Sequence, residues 1–181
     1  MIDLSDSRIH PDTRKIIEYY DFQMLPVEGT LYKNIYQSAD RLPSGGPVGT
    51  AMVGLYAQYP HSASCFHRLE YDEVWHVYGG DPFHLILLYE DGTSEDVRMG
   101  SNPWNEEHLQ YVVPKHTWQA GYMEEGGRYS LYGCTMSPGF VGACFQAGIA
   151  EELIQKYPDR ADLIQMLSAQ GEEKTMPESY C

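Results

Sequence analysis

Of the seven histidines in the chain, His67 stands apart, because a carboxylate, Glu73, follows it across a short break between two strand-like runs. In an antiparallel pair, residues a few positions either side of a tight turn project into the same interior. An imidazole and a carboxylate facing each other in a partly dry cavity can ligate a metal or trade a proton with a bound molecule. His10, His61, His84 and His108 have no comparable neighbour in the sequence and read as ordinary surface or core residues. His76 lies three residues after Glu73, so strict alternation sends it to the opposite face of its strand. Trp75 and Trp118 bring broad aromatic faces towards the same region, which suit stacking on a sugar or a base as well as plain core packing.

The elements that must position these residues are short and regularly spaced. Strand candidates are Leu31–Tyr36, Ala51–Tyr59, Ser62–Leu69, Val74–Tyr78, Phe83–Tyr89, Thr93–Met99, Tyr111–Val113, Trp118–Tyr122 and Tyr129–Thr135. Glu90-Asp91-Gly92 is a strong hairpin signal, since Asp-Gly readily takes the positive φ that a tight turn needs, and Glu125-Gly126-Gly127 is another. The spacing predicts an all-β sandwich or closed barrel. A helix is expected over Asp12 to Tyr20, opened by Pro11 or Asp12, and two more over Ala150–Lys156 and Ala161–Leu167, broken at Pro158. Their apolar stripes read as faces laid on the outside of the barrel. Neither an internal repeat nor a dividing linker is visible, so one domain over 1–181 is expected, with a polar tail over 170–181.

Composition narrows the functional classes. Twelve Lys and Arg against 26 Asp and Glu give a net charge of −14. That argues against nucleic acid, which is bound by basic side chains replacing counterions, and equally against an anionic membrane surface. Cys65, Cys134, Cys144 and Cys181 form no C-x-x-C pair, so neither a zinc ribbon nor a thioredoxin-like site is supported. Residues Met1 to His10 are polar and do not read as a signal peptide. A cytoplasmic protein with reduced thiols is expected.

The stretch FHRLEYDEVWHVYGG, Phe66–Gly80, resembles the first cupin motif, with His67 on its first histidine, Glu73 on its glutamate and Gly80 on its closing glycine. Val112 to Gln119 resembles the second motif: Pro114 matches its proline, and Gln119 stands where the last metal-binding histidine would be. Further segments in order are Pro26 to Lys33, Asp72 to His76, Val113-Pro114 with Trp118-Gln119, Gly133 to Phe140, and Tyr157-Pro158. Together they resemble a cupin subgroup similar to dTDP-sugar epimerases, over roughly Ile16 to Leu167. The resemblance implies a double-stranded β-helix, the cupin jelly-roll barrel, with a short N-terminal helix and C-terminal helices packed outside, and it implies a homodimer. Lys33 stands near the place of the subgroup's arginine, where it would hold an anionic group as a point charge, and His116 stands where many cupins have glycine.

Three readings of the site follow from that resemblance. In the first, an isomerase or epimerase works without metal on a sugar, a nucleotide-sugar or another carbonyl compound. His67 is the base, Glu73 orients its other nitrogen, and Tyr132 returns the proton. In the second, a divalent metal ion is held by His67, Glu73 and Gln119, a reduced ligand set that is poor beside three histidines. In the third, the barrel binds a small molecule without turning it over, using Lys33, Trp75, His76, Trp118 and Gln119.

Overall fold

The structure, a computed structural model, describes residues 2–169 and 174–177. The rest of the predicted polar tail, and with it Cys181, lies outside the described residues. In chain order the strands are β1 (Gln23–Met24), β2 (Leu31–Gln37), β3 (Thr50–Tyr56), β4 (Ser64–Leu69), β5 (Glu73–Gly80) and β6 (Phe83–Leu88). They continue as β7 (Ser94–Met99), β8 (Gln110–Val113), β9 (Trp118–Met123), β10 (Ser130–Met136) and β11 (Phe145–Ala147). Helix α1 is Pro11–Tyr20, and α2 (Ala150–Lys156) and α3 (Ala161–Met166) follow the last strand.

The strands form two sheets: six strands in the order β1-β2-β3-β10-β5-β8, and five in the order β11-β4-β9-β6-β7. The chain is therefore the expected jelly-roll, with neighbours in each sheet drawn from distant parts of the sequence. The hairpin at Glu90-Asp91-Gly92 joins β6 to β7; Gly92 has a φ of 91°, and the Asp91 carboxylate accepts the Thr93 backbone N–H at 2.9 Å. Two other turns do not make hairpins. Glu125-Gly126-Gly127 carries the chain from β9 in one sheet to β10 in the other. Likewise β4 and β5, which flank the break between His67 and Glu73, do not pair but belong to different sheets. The inner faces of both sheets still point to one interior, so the two side chains converge for a different reason than the expected one.

Alternation sorts the side chains. Phe83, Leu85 and Leu87 of β6 face inward with Tyr56, Trp75 and Tyr132, forming an aromatic core at one end of the interior. Ile86 and Leu88 of the same strand face outward, where Leu153, Tyr157, Ile164 and Leu167 of the C-terminal helices cover them. On the other sheet α1 lays Ile17 over Leu31, Val53 and Leu55. Fully burying each such side chain contributes roughly 1.5–3 kcal/mol. The helix begins as the sequence suggests, with Pro11 at its first position, and the His10 side chain accepts the Asp12 N–H at 3.2 Å.

The barrel is solid at the aromatic end and hollow at the other. Two glycines make the solid end possible. A Cβ on Gly54 of β3 would come within 2.6 Å of the Tyr132 hydroxyl, and one on Gly121 of β9 within 2.8 Å of the Tyr56 ring. Tyr132 thus lies across bare backbone on the neighbouring strand β3, and Tyr56 across bare backbone on β9 of the facing sheet.

Candidate functional site

The hollow end is a cavity of about 370 Å³. β2 contributes Tyr32 and Asn34 to its wall, β3 contributes Thr50, Ala51 and Met52, and β10 contributes Cys134 and Met136. Leu25 and Phe140 add apolar surface, and two carboxylates, Glu28 and Glu73, complete the chemistry. Neither lysine nor arginine is among the described lining side chains.

Glu73 opens β5 and points inward at the level of Met136 and Val113, its partners on the two neighbouring strands. Its Oε2 accepts a hydrogen bond from Gln119 Nε2 at 2.7 Å, and the Cys134 thiol also bonds to it. Gln119 is fixed at its other end, because Trp75 Nε1 donates to its Oε1 at 2.9 Å. Desolvation raises the pKa of Glu73 above the ordinary carboxylate value; the nearby Glu28 carboxylate adds to the rise, while His67 and the hydrogen bonds oppose it. The same burial, with both glutamates close by, holds the Cys134 thiol far above its usual range, so it is a hydrogen-bond donor and not a nucleophile.

His67 faces inward from β4, opposite Gln119 of β9. Its Nδ1 bonds to the Cys65 carbonyl at 2.8 Å, and its ring stacks on Phe145 with centroids 5.1 Å apart. A carbonyl only accepts, so Nδ1 carries the proton and Nε2 of the neutral ring is left as the basic atom. The Cys65 carbonyl, rather than Glu73, therefore holds the tautomer. The ring lies near enough to Glu73 that a proton on it would favour the Glu73 carboxylate, yet Glu73 is the one that lines the cavity.

Glu28 comes from the loop between β1 and β2, and the sequence gives it little prominence: a carboxylate beside glycine in a loop normally reads as surface. Here it is only 8% exposed. The loop is turned inward by Val27, whose φ of 64° is rare for a β-branched residue, and by Gly29 at 90°. Leu25 N–H donates to the Thr30 carbonyl at 2.7 Å, and Cys65 N–H donates to the Glu28 carbonyl at 2.9 Å, tying the loop to β4. Ser64 Oγ then donates to Glu28 Oε1 at 2.7 Å.

The other sequence-selected residues divide between core and exterior. Tyr132 is fully buried, stacked on Trp75 with centroids 5.0 Å apart, and its hydroxyl bonds to Thr30 Oγ1 at 2.7 Å. Neither Tyr132 nor Trp75 lines the cavity; both belong to the aromatic core. Lys33 lies between the cavity-lining Tyr32 and Asn34, so alternation turns it outward, where its Nζ is 3.5 Å from Asp21 Oδ2. His76 also faces outward, bonded to Thr135 and Gln110 at 2.8 Å each. Trp118 packs under the C-terminal helices with the Arg68 guanidinium 4.7 Å from its ring centre. His116 has a φ of 66°, which accounts for the glycine expected at that place, and its ring lies 4.0 Å from Glu70, away from the cavity lining.

His67, Glu73 and Gln119 do meet, but they do not fit a divalent metal. Gln119 turns its N–H towards Glu73 and gives one lone pair of its oxygen to Trp75, which leaves one imidazole and one carboxylate as the chief donors, a poor set for a first-row divalent ion. Among the described residues, no group of three or more His, Cys, Asp and Glu is placed to hold an ion.

A family model described as cupin superfamily (DUF985) matches residues 14–147. Among solved structures, a protein from Shewanella oneidensis is 27% identical with a TM-score of 0.78, over 85% of this chain and 95% of that one. A hypothetical protein from Leishmania major is 26% identical with a TM-score of 0.76, over 85% of this chain and 97% of that one. A cupin 2 conserved barrel domain protein from Rhodopseudomonas palustris, 13% identical with a TM-score of 0.52 over 79% of this chain and 81% of that one, shares the fold. No protein of curated function matches.

Proposed function

Because the chain belongs to the cupin superfamily (DUF985), we propose that its cavity binds a small, neutral, sugar-like carbonyl compound and moves a proton on it, as an isomerase or epimerase does. One observation carries this reading: Glu73, buried with a raised pKa and backed by His67, forms part of a cavity wall that is otherwise mostly apolar. A carboxyl whose pKa is lifted by desolvation can hold a proton nearer neutrality and exchange it with a ligand. Gln119 and Cys134 fix its orientation, and His67 lies near enough to act on it electrostatically. A phosphorylated or nucleotide-linked sugar fits less well, since the lining offers two carboxylates and no described cation to meet a phosphate. Tyr32 and Phe140 supply the flat surfaces on which a sugar ring packs.

The test is hydrogen exchange into neutral aldoses and ketoses incubated with the protein in deuterated water, followed by proton NMR. Wild-type protein is expected to wash deuterium into the carbon beside the carbonyl. Glu73→Gln and His67→Ala should reduce that rate about a hundred- to ten-thousand-fold while staying folded. Saturable binding of such a sugar with no exchange would replace this reading with that of a non-catalytic binding barrel.

A further inference from the structure

The sequence points to Tyr132 as the residue that returns a proton, yet its hydroxyl is sealed away from the cavity. Its hydrogen bonds show where it leads. Thr30 Oγ1 and the Tyr132 hydroxyl are 2.7 Å apart, Tyr132 and Tyr56 bond through their hydroxyls, and the Tyr56 hydroxyl lies 2.6 Å from Ser64 Oγ. Ser64 Oγ in turn is 2.7 Å from Glu28 Oε1. Each hydroxyl has one proton to give. Ser64 Oγ donates to the Glu28 carboxyl oxygen. Tyr56 must then donate to Ser64, Tyr132 to Tyr56, and Thr30 to Tyr132. The buried hydroxyls form a one-way chain that ends on a carboxylate in the cavity wall.

We infer that Glu28 is the second proton-transfer group of this cavity, paired with Glu73, and that Tyr132 and Tyr56 act only by positioning it. The inference rests on the proton-transfer reading above and names its missing partner. Glu28 reaches the cavity from a loop tied to β4 of the five-stranded sheet, whereas Glu73 reaches it from β5 of the six-stranded sheet. Two carboxyls that line one cavity from different elements, the β1–β2 loop and β5, suit a transfer in which one takes a proton from carbon and the other gives one back. The Glu28 carboxylate removes the proton beside the carbonyl, and the C–H electron pair moves into the enolate. The protonated Glu73 then donates to the other face of that carbon. One C–H bond breaks and one forms, leaving Glu28 protonated and Glu73 ionised; exchange with water, or turnover in reverse, resets the pair.

The test compares wild type, Glu28→Gln, Ser64→Ala and Tyr132→Phe, each confirmed as folded by circular dichroism. Deuterium exchange into a neutral ketose is followed against pH, and the Glu73 carboxyl is titrated by carbon NMR in the same samples. Glu28→Gln is expected to abolish inversion at carbon and to reduce exchange about a hundred-fold or more. Ser64→Ala and Tyr132→Phe should displace the pH profile of the rate while leaving KM unchanged, which a merely structural role would not do. Exchange by Glu28→Gln at the wild-type rate and pH profile would overturn the inference. If wild type exchanges no sugar at all, the functional reading fails separately, and the titration decides alone. A Glu73 midpoint that falls in Glu28→Gln supports two carboxyls sharing one cavity, and an unmoved midpoint rejects it.

Discussion

A carboxyl only 8% exposed, as Glu73 is, ionises against the cost of leaving water, and that cost appears in stability as well as in chemistry. Its folded pKa lies above the ordinary value of 4.5, so the folded state holds the proton longer than the unfolded state does. The sign follows from linkage. Stability from this group is fully present below pH 4.5 and is lost progressively as pH rises through the folded pKa. Glu73→Gln keeps an acceptor for the Gln119 amide and removes the ionisation. The variant is therefore expected to lose less stability than wild type between pH 4.5 and the folded pKa of Glu73, measured by urea denaturation at a series of pH values. Parallel stability curves for the two proteins would show that Glu73 is not desolvated as described. The choice of Glu73 and His67 was legible in the sequence because both are chemical residues inside strand-like runs. Glu28 was not, because Pro26 to Lys33 enters only as a segment of the family resemblance, and the loop conformation that buries Glu28, with Val27 at positive φ, is not written in the local pattern.

At the scale of elements, the inward-facing glycines decide whether the aromatic core can exist. Gly54 lies under a Tyr132 ring that is wholly buried, so an added methyl group meets a neighbour with nowhere to go. Gly54→Ala is expected to cost about 1–3 kcal/mol by overpacking and to displace the Tyr132 hydroxyl from Thr30. The same substitution beside Tyr132→Leu should cost less than the two single effects added together, since the smaller side chain vacates the clash. Strict additivity in denaturant melts would show that the two positions do not touch. Local pattern found most strands to within a residue or two: Phe83–Leu88 was expected as Phe83–Tyr89, and Glu73–Gly80 as Val74–Tyr78. It missed β1 and β11, which span two and three residues and exist because β2 and β4 offer them an edge. Pairing was less legible than strand position. Nothing local to residues 67–73 distinguishes a hairpin from a crossing between sheets, and here the strands cross. Outward placement of His76 followed from counting, whereas that of Lys33 and Trp118 needed the register of β2 and β9.

For the whole molecule, the open question is what closes the hollow end of a barrel whose other end is packed with aromatic rings. The described part of the C-terminal tail supplies much of the answer. Met176 is only 4% exposed and packs with Leu25, Cys65, Leu69, Met136 and Phe145, far from its own place in the sequence. Leu25 and Met136 of that cluster also line the cavity, so the tail segment and the cavity share a wall. The segment is tied down on both sides of the methionine. The Lys174 carbonyl accepts the Ala147 N–H at 2.8 Å, and a Cβ on Gly142 would stand 2.6 Å from the Pro177 carbonyl oxygen. A stretch that reads as a polar tail thus carries one apolar anchor, Met176, into a buried cluster. Met176→Ala is expected to destabilise the fold by about 2–5 kcal/mol, the range for emptying a buried methionine site. Met176→Leu, which keeps the volume, should cost less than about 1.5 kcal/mol. Urea melts of the three proteins separate the cases. An alanine variant as stable as wild type would mean that the anchor is not seated, leaving the cavity wall at Leu25 and Met136 open to water.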